Sequence, residues 1–194
     1  MELKDAMQKR RSIRHYSPKK LDIKDVGEIL DLARLAPSAG NLQNWQFVIV
    51  TDPKKQKAIS DACMDQHWVS EAPMLIVVCN QFEKVSMLYD NLGKMFSVQN
   101  CAIIATYIML LAAEKGFGTC WVGAFDNNKV AEILKMPEEV DPQIILTLGY
   151  PDEVKTTEHE REEIRELCYF DEWGEREMEE EGLLDKVKKK IKKT

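Results

Sequence analysis

The chain has 194 residues, 44% of them hydrophobic, which is enough for one sizeable core. Its net charge of −6 and pI near 5.3 argue against a general nucleic-acid binder. The longest apolar run, Cys101 to Ala113, has 13 residues, whereas a membrane span needs roughly 20, so we interpret this run as a core helix.

Local signals predict helices and strands in alternation along the first half of the chain. In order, they are a helix over 2–11, a helix capped by Asp22 and ended by Pro37, a polar loop over 38–44, a strand over 45–50, a helix over 54–66 and a buried strand over 74–79. Residues 80–93 carry no clear signal.

The second half begins with the longest predicted helix, over 94–115. It is apolar nearly all round from 102 to 113, so both faces should be covered, by the sheet on one side and by a second subunit on the other. Gly116 and Gly118 are expected to end it in a tight turn. A strand over 119–122, a helix from Asp126 to Leu134 and a strand over 143–148 complete the order ααβαβαβαβ.

Composition also predicts a cell compartment for the protein and the character of its C-terminal tail. The charged N-terminus predicts no signal peptide, and the five cysteines form no CxxC pair, which is typical of reduced thiols in a cytoplasmic protein. Residues 158–181 carry twelve acids, and the last nine residues carry six lysines. A segment this polar cannot bury its own core, although it can wrap a partner subunit. Val187 and Ile191 predict a short amphipathic helix at most.

The densest cluster of functional groups is Arg10-Arg11-Ser12-Ile13-Arg14. Three planar, permanently charged guanidinium groups and a hydroxyl within five residues suit a phosphate dianion. A basic run of this kind is equally typical of a solvated surface. The residues alone leave both interpretations open.

Other chemistries find less support. Gly116-Phe117-Gly118 follows a helix and precedes a strand, which is the reverse of a dinucleotide-binding motif. The three histidines, His15, His67 and His159, are far apart and form no metal-binding motif. Neither a nucleophile elbow nor a P-loop signature occurs.

Three segments in order resemble the FMN-dependent nitroreductase family: RRSIRHYS near the N-terminus, APSAGNLQNWQF, and GTCWVGAF before the last strand. The resemblance runs from about residue 3 to residue 173. It implies an α+β fold with a nitroreductase-like central sheet flanked by helices, in a domain-swapped homodimer with two FMN sites built from both subunits. We accordingly expect a domain over 1–173 and a charged C-terminal tail over 174–194.

The resemblance also implies a set of cofactor-binding residues. From one subunit, Arg10 and Ser12 would hold the phosphate end, while Arg14 would lie near the N1 edge of the flavin, where a cation stabilises reduced flavin. Arg11 is included in the cofactor-binding set as part of the same stretch, although its side chain is expected to face elsewhere. The remaining candidates are Pro37, Ser38, Asn41 and Gln43 from the other subunit, Val122, Gly123 and Ala124 along the ring, and Arg161 over the phosphate.

The chain departs from the family pattern at two places. Asn44 stands before Trp45 where the family usually has proline. Glu162 and Glu163 follow Arg161 where a basic residue and a proline are usual, and acids beside a phosphate ligand weaken it unless they point away.

The predicted function is that of an FMN oxidoreductase. NADH or NADPH would reduce the flavin and leave, and a nitroaromatic, quinone or flavin acceptor would follow in a ping-pong cycle. Two alternatives stay open: a flavin-binding or interaction protein with little turnover, and another reaction of the same fold such as reductive dehalogenation. No protein nucleophile is needed because the flavin carries the chemistry.

Overall fold

The computed structural model of the protein describes residues 2–152, 160–169 and 171–175. The chain divides into two compact units, Met1–Thr156 and Thr157–Thr194. The expected domain boundary after residue 173 stays a prediction. Most of the predicted tail, including Val187 and Ile191, lies outside the described residues.

The first unit has an α+β fold in which helices surround one sheet. The described helices are α1 (Leu3–Lys9), α2 (Ile23–Ala33), α3 (Pro53–Asp61), α4 (Phe82–Tyr89), α5 (Gly93–Glu114) and α6 (Asn127–Leu134), with α7 (Ile164–Leu167) in the second unit. The strands are β1 (Trp45–Val50), β2 (Met74–Asn80), β3 (Gly118–Val122) and β4 (Asp141–Gly149).

The sheet has the order β1-β2-β4-β3, and every neighbouring pair is antiparallel. All seven residues of β2 are buried, because helices cover both faces of this inner strand. The strands β1 and β3 form the two edges. Trp45 opens β1 opposite Asn80, while Thr119 in β3 lies opposite Leu148.

Two hydrophobic clusters fill the space on the two faces of the sheet. One joins the sheet to α2 and α5, and the other joins it to α3 and α6. The α5 helix is the central element of the first cluster, with Cys101, Ile104 and Ile108 fully buried. The long helical stretch Phe82–Glu114 has the length and apolar composition of a membrane span, but α5 packs as the core helix that the sequence predicted.

Two helix N-caps of the structure are those that the sequence predicted. Asp22 accepts a hydrogen bond from Lys24 N at 2.9 Å and Asp126 accepts one from Lys129 N at 3.1 Å, so both predicted N-caps are confirmed. The predicted end of the third helix at residue 66 is wrong. It ends at Asp61, and Met64 and Asp65 then adopt left-handed φ values of 52° and 61°, which a helix cannot include.

Two further segments differ from the sequence-based expectation. Residues 80–93, which carried no clear signal, form α4 and a 3₁₀ turn over Asp90–Leu92. The role predicted for Gly118 is wrong. Gly116 alone takes a left-handed φ, of 79°, at the end of α5, whereas Gly118 is the first residue of β3.

Candidate functional site

The stretch over 10–14 leaves α1 and runs along the free edge of β3. Arg10 N still donates to Ala6 O at 2.9 Å, which ends the helix. Ser12 then forms a parallel bridge with Thr119, and Ile13 N donates to Thr119 O at 2.9 Å. The backbone of this stretch is therefore fixed against an edge strand, and its side chains are left available for a ligand.

Side-chain contacts hold the same stretch in place. A Cβ at Gly118 would lie 2.8 Å from Ile13, so only glycine allows this close approach. The Tyr16 hydroxyl lies 2.6 Å from Ile13 O and 2.5 Å from Thr147 Oγ1, within hydrogen-bonding distance of both. Tyr16 thus ties the end of the stretch to β4, a role that sequence reasoning missed.

Three side chains of the stretch influence the buried thiol of Cys120. Burial raises the pKa of the Cys120 thiol, while Arg14, the Ser12 side chain and Arg10 each lower it. Within the described part of the chain, no carboxylate forms an ion pair with Arg10 or Arg14. The two predicted phosphate ligands, Arg10 and Ser12, and the predicted ring-edge residue Arg14 thus lie on one stretch with positive charge that the described residues do not neutralise.

Arg11 points away from this group. Its Nη1 donates to Gln8 O at 2.6 Å and to Arg10 O at 3.0 Å, which returns the guanidinium to the last turn of α1. A cation at a helix C-terminus also meets the negative end of the helix dipole. This geometry is the one expected of a residue that faces elsewhere.

The predicted ring-contacting segment follows β3 directly. Val122 is buried as the last residue of β3, and Gly123 and Ala124 are exposed. Gln66 Nε2 donates to Ala124 O at 3.1 Å, and the Trp68 ring lies 5.4 Å from the Arg14 guanidinium. The turn after α3 therefore supports both the segment and Arg14, which the sequence did not indicate.

The loop over 38–43 has an unusual backbone. Gly40, Asn41 and Gln43 have left-handed φ values of 57°, 55° and 45°. Inside the loop, Ser38 Oγ accepts from Gln43 N at 3.1 Å, and Gln43 Nε2 donates to Asn41 O at 3.1 Å. Pro37, Asn41 and Gln43 are exposed and Ser38 is half-buried, so the loop presents polar groups to solvent.

This loop and the stretch over 10–14 lie at opposite corners of one sheet. The loop leads into β1 at the end marked by Asn80 and Asp141, while Ser12 lies on the far edge near Leu148. Four strand spacings, counting the one between β3 and Ser12, and about seven residues of strand length separate the two corners, which is roughly 30 Å.

Arg161 belongs to the second unit. Its side chain is exposed, and Nη1 donates to Glu160 O at 3.1 Å. Of the two acids that follow it, Glu163 is paired with Arg165 at 2.9 Å. Phosphate binding by Arg161 stays a prediction.

Comparisons with known proteins decide the family. The nitroreductase family matches residues 7–81 and 64–150 of the chain. The chain belongs to the nitroreductase family.

Individual members of the nitroreductase family show how far the likeness extends. An Archaeoglobus fulgidus protein, whose name pairs NADH dehydrogenase with NAD(P)H nitroreductase, is 35% identical over 150 residues, 75% of this chain and 83% of that protein. An iodotyrosine deiodinase of Thermotoga neapolitana is 27% identical over 178 residues, 79% of this chain and 90% of that protein. The structure of an FMN-dependent nitroreductase from Clostridium difficile has a TM-score of 0.75 and 27% identity, and covers 87% of this chain and 98% of its own.

The predicted family and α+β fold class are confirmed, and the chain is an oxidoreductase of the nitroreductase family. The charged and hydrogen-bonding side chains of the stretch over 10–14 fit the flavin cofactor that this family uses. Arg10 and Arg14 supply positive charge that no carboxylate among the described residues pairs with, and Ser12 supplies an exposed hydroxyl, which together suit a phosphate-bearing ligand. The buried Thr119 Oγ1, in the residue that pairs with Ser12, has no hydrogen-bond partner among the described residues.

The departure of this nitroreductase at Asn44 has a structural explanation. Asn44 is fully buried and donates from Nδ2 to Asn80 Oδ1 at 2.7 Å, so it is a core polar residue and not a surface replacement for proline. Ser97 and Asn100 of α5 complete the cluster. Sequence reasoning recorded the departure but gave no signal for the cluster, because its members are distant along the chain.

Proposed function

We propose that the protein is an FMN-dependent oxidoreductase that takes electrons from NADH or NADPH and passes them to nitroaromatic, quinone or flavin acceptors in a ping-pong cycle. The observation that carries the proposal is that Arg10, Ser12 and Arg14 lie on one stretch fixed against β3, where neither arginine has a carboxylate partner in the described chain. An anionic cofactor phosphate supplies the negative charge that this group lacks.

Each part of the proposed site has its own task. Arg10 and Ser12 bind the phosphate end, and Arg14, oriented by the Trp68 ring, places positive charge near the ring system. The exposed backbone of Gly123 and Ala124 offers N–H groups at close range, since Gly123 has no side chain. When bound, FMN would supply the hydride chemistry, while the protein orients it.

The proposed site is shared between two copies of the chain. The loop over 38–43 and the stretch over 10–14, which we call the cradle, lie roughly 30 Å apart across one sheet, so the loop meets the cradle of another copy more readily than its own. Exposed apolar side chains along α5 support a dimer, namely Met95, Val98 and Tyr107. Arg161 is proposed to close over the phosphate. A homodimer of this kind requires neither nucleic acid nor a membrane, and we expect it in the cytoplasm.

A second candidate reaction is reductive dehalogenation. The likeness to the Thermotoga neapolitana deiodinase, which extends over 79% of this chain, favours it. The same cradle and loop would serve, since both reactions depend on an oriented flavin. A flavin-binding protein with little turnover is the remaining alternative.

The absorbance spectrum of the purified protein, followed by anaerobic titration with NADH and NADPH, tests the proposal. We expect a flavin band that either nucleotide bleaches, and that nitroaromatic or quinone acceptors restore. A colourless protein that neither binds added FMN nor oxidises nicotinamide would refute it. A bleached flavin band that only halogenated phenols restore would favour dehalogenation. Bound flavin that no nicotinamide reduces would favour the low-turnover alternative.

A further inference from the structure

Four polar side chains meet in the core behind the loop over 38–43. We call this cluster the amide network, and its members are Asn44, Asn80, Ser97 and Asn100. The first precedes β1, the second ends β2, and the other two lie on α5. Their exposed fractions are between 0% and 3%, so each has lost its water and needs protein partners.

Hydrogen bonds inside the amide network satisfy those needs. Asn44 Nδ2 donates to Asn80 Oδ1 at 2.7 Å and to Ser97 O at 3.2 Å. Asn100 Nδ2 donates to Asn44 Oδ1 at 2.7 Å, and Asn80 Nδ2 donates to Ser97 Oγ at 3.1 Å. A buried network that is satisfied in this way is rigid and favours one arrangement of its neighbours.

One hydrogen bond connects the amide network to the loop. Asn100 Oδ1 accepts from Ala39 N at 2.9 Å, at the start of the turn that contains Gly40. The following residues include two non-glycine residues with left-handed φ, Asn41 and Gln43. Such backbones persist only where the surroundings hold them, and they are concentrated at ligand-binding sites.

We propose that Asn44 and Asn100 are positioning residues, which hold the loop in its cofactor-binding conformation before FMN arrives. The inference rests on the proposed function, since it concerns the same site. Because the fold orders the loop in advance, binding does not bear that entropic cost. Asn44 stands where the family usually has proline. Its carboxamide oxygen accepts from Asn100 Nδ2 and so fixes the Asn100 carboxamide with its own oxygen facing Ala39.

Three substitutions separate positioning from stability. Asn100→Ala removes both the acceptor for Ala39 N and the donor to Asn44, whereas Asn100→Asp keeps the acceptor. Gln56→Ala is the matched control. Gln56 is also a buried carboxamide, but it donates to Val50 O at 3.3 Å and Ala72 O at 3.2 Å and touches no part of the loop.

The measured quantities are the FMN dissociation constant and the thermal midpoint. We expect Asn100→Ala to raise the dissociation constant by about tenfold or more, Asn100→Asp, which keeps the acceptor but loses the donor to Asn44, to raise it less, and Gln56→Ala to lower the thermal midpoint without changing the affinity. If Asn100→Ala does not fold, Asn44→Ser replaces it, and a smaller rise is expected because this variant removes the hydrogen bond that orients Asn100 but keeps the acceptor for Ala39 N. Wild-type affinity in the folded variant, or an equal loss in Gln56→Ala, would overturn the inference.

Amide hydrogen exchange at Ala39 in cofactor-free protein gives a readout independent of FMN. We expect protection in wild type, partial protection in Asn100→Asp, and loss of protection in Asn100→Ala. Failure of the wild type to bind FMN would refute the proposed function alone. In that event the exchange result decides the inference, and equal protection at Ala39 in wild type and Asn100→Ala overturns it.

Discussion

The two halves of the proposed flavin site are held in place by different means. The stretch over 10–14 is fixed mainly through its backbone, by the bridge between Ser12 and Thr119 and by the hydrogen bond from Ile13 N. The loop over 38–43 is fixed through side chains, by the amide network behind it and by Ser38 and Gln43 within it. One half uses a sheet edge, and the other uses a buried polar cluster.

The difference bears on how each half tolerates change. Backbone pairing does not depend on side-chain identity, so Arg10, Ser12 and Arg14 are free to serve a ligand. The loop depends on particular carboxamides at fixed distances, and it contains left-handed residues that need support. We therefore expect substitutions in the first half to change ligand contacts, and substitutions behind the second half to change its conformation.

The largest effect is expected in the cradle at Arg10. Arg10→Ala should weaken FMN binding by roughly 1–3 kcal/mol, the scale of a lost hydrogen bond to a charged group. Titration of cofactor-free protein with FMN measures it. Arg34→Ala is the control, because Arg34 is an exposed arginine paired with Asp31 on α2. Unchanged affinity in Arg10→Ala would place the phosphate elsewhere.

Two glycines test whether the cradle depends on close approach to β3. Gly118→Ala would place a Cβ 2.8 Å from Ile13, and we expect it to lower the free energy of unfolding by about 1–3 kcal/mol and to weaken FMN binding. Gly27→Ala on α2 has nothing within 4 Å, so it should be neutral or stabilising. Urea unfolding measures both, and similar stabilities would contradict the account.

The two halves of the site are expected to differ in how pH changes their stability, because each half has buried cysteines in a different environment. Burial raises the pKa values of Cys79 and Cys101, which adjoin Asn80 and Asn100, to about 12, so both thiols stay neutral in the folded state. Unfolded thiols ionise above about pH 8.5, so stability is full below that pH and falls as pH rises toward 12.

At pH 10 we expect each of these two thiols to cost about 2 kcal/mol of stability. Urea unfolding at pH 7 and pH 10 in reductant measures the loss. Cys101→Ala should reduce it more than Cys120→Ala, because the cations around Cys120 oppose the effect of burial. An identical loss in both variants would remove the contrast between the two halves.

The smallest effect concerns the reduction potential of bound flavin. Arg14→Ala should lower it by roughly 10–30 mV, where about 30 mV corresponds to 1.4 kcal/mol for a two-electron couple. The control is Arg11→Ala, whose guanidinium bonds to Gln8 O and Arg10 O and should leave the potential unaltered. Equal potentials in wild type and Arg14→Ala would argue against a cation near the ring.

The sequence predicted what depends on neighbouring residues. Asp22 and Asp126 identify their helices because an N-cap acts within three residues. The cradle was visible because its charges are adjacent along the chain. The motifs of the resemblance added the α+β class and the family, which the residues alone did not give.

Contacts between distant residues could not be predicted in this way. Asn44 meets Asn80 across 36 positions and Asn100 across 56, and no local pattern marks such partners. Gly118 was misassigned for the same reason, since its role depends on Ile13 in another part of the chain. The antiparallel order of the strands likewise follows from non-local pairing.

A mixing experiment tests most directly whether two chains build one site. Arg10→Ala breaks the cradle, and Gly40→Ala breaks the loop, since it would place a Cβ 2.9 Å from the Tyr89 hydroxyl at a φ of 57°. If the halves come from different subunits, a heterodimer of the two variants contains one site with both halves intact. Random pairing on co-expression should then restore tight FMN binding at about one quarter of the sites. No restored sites, with dimers formed, would contradict the shared site.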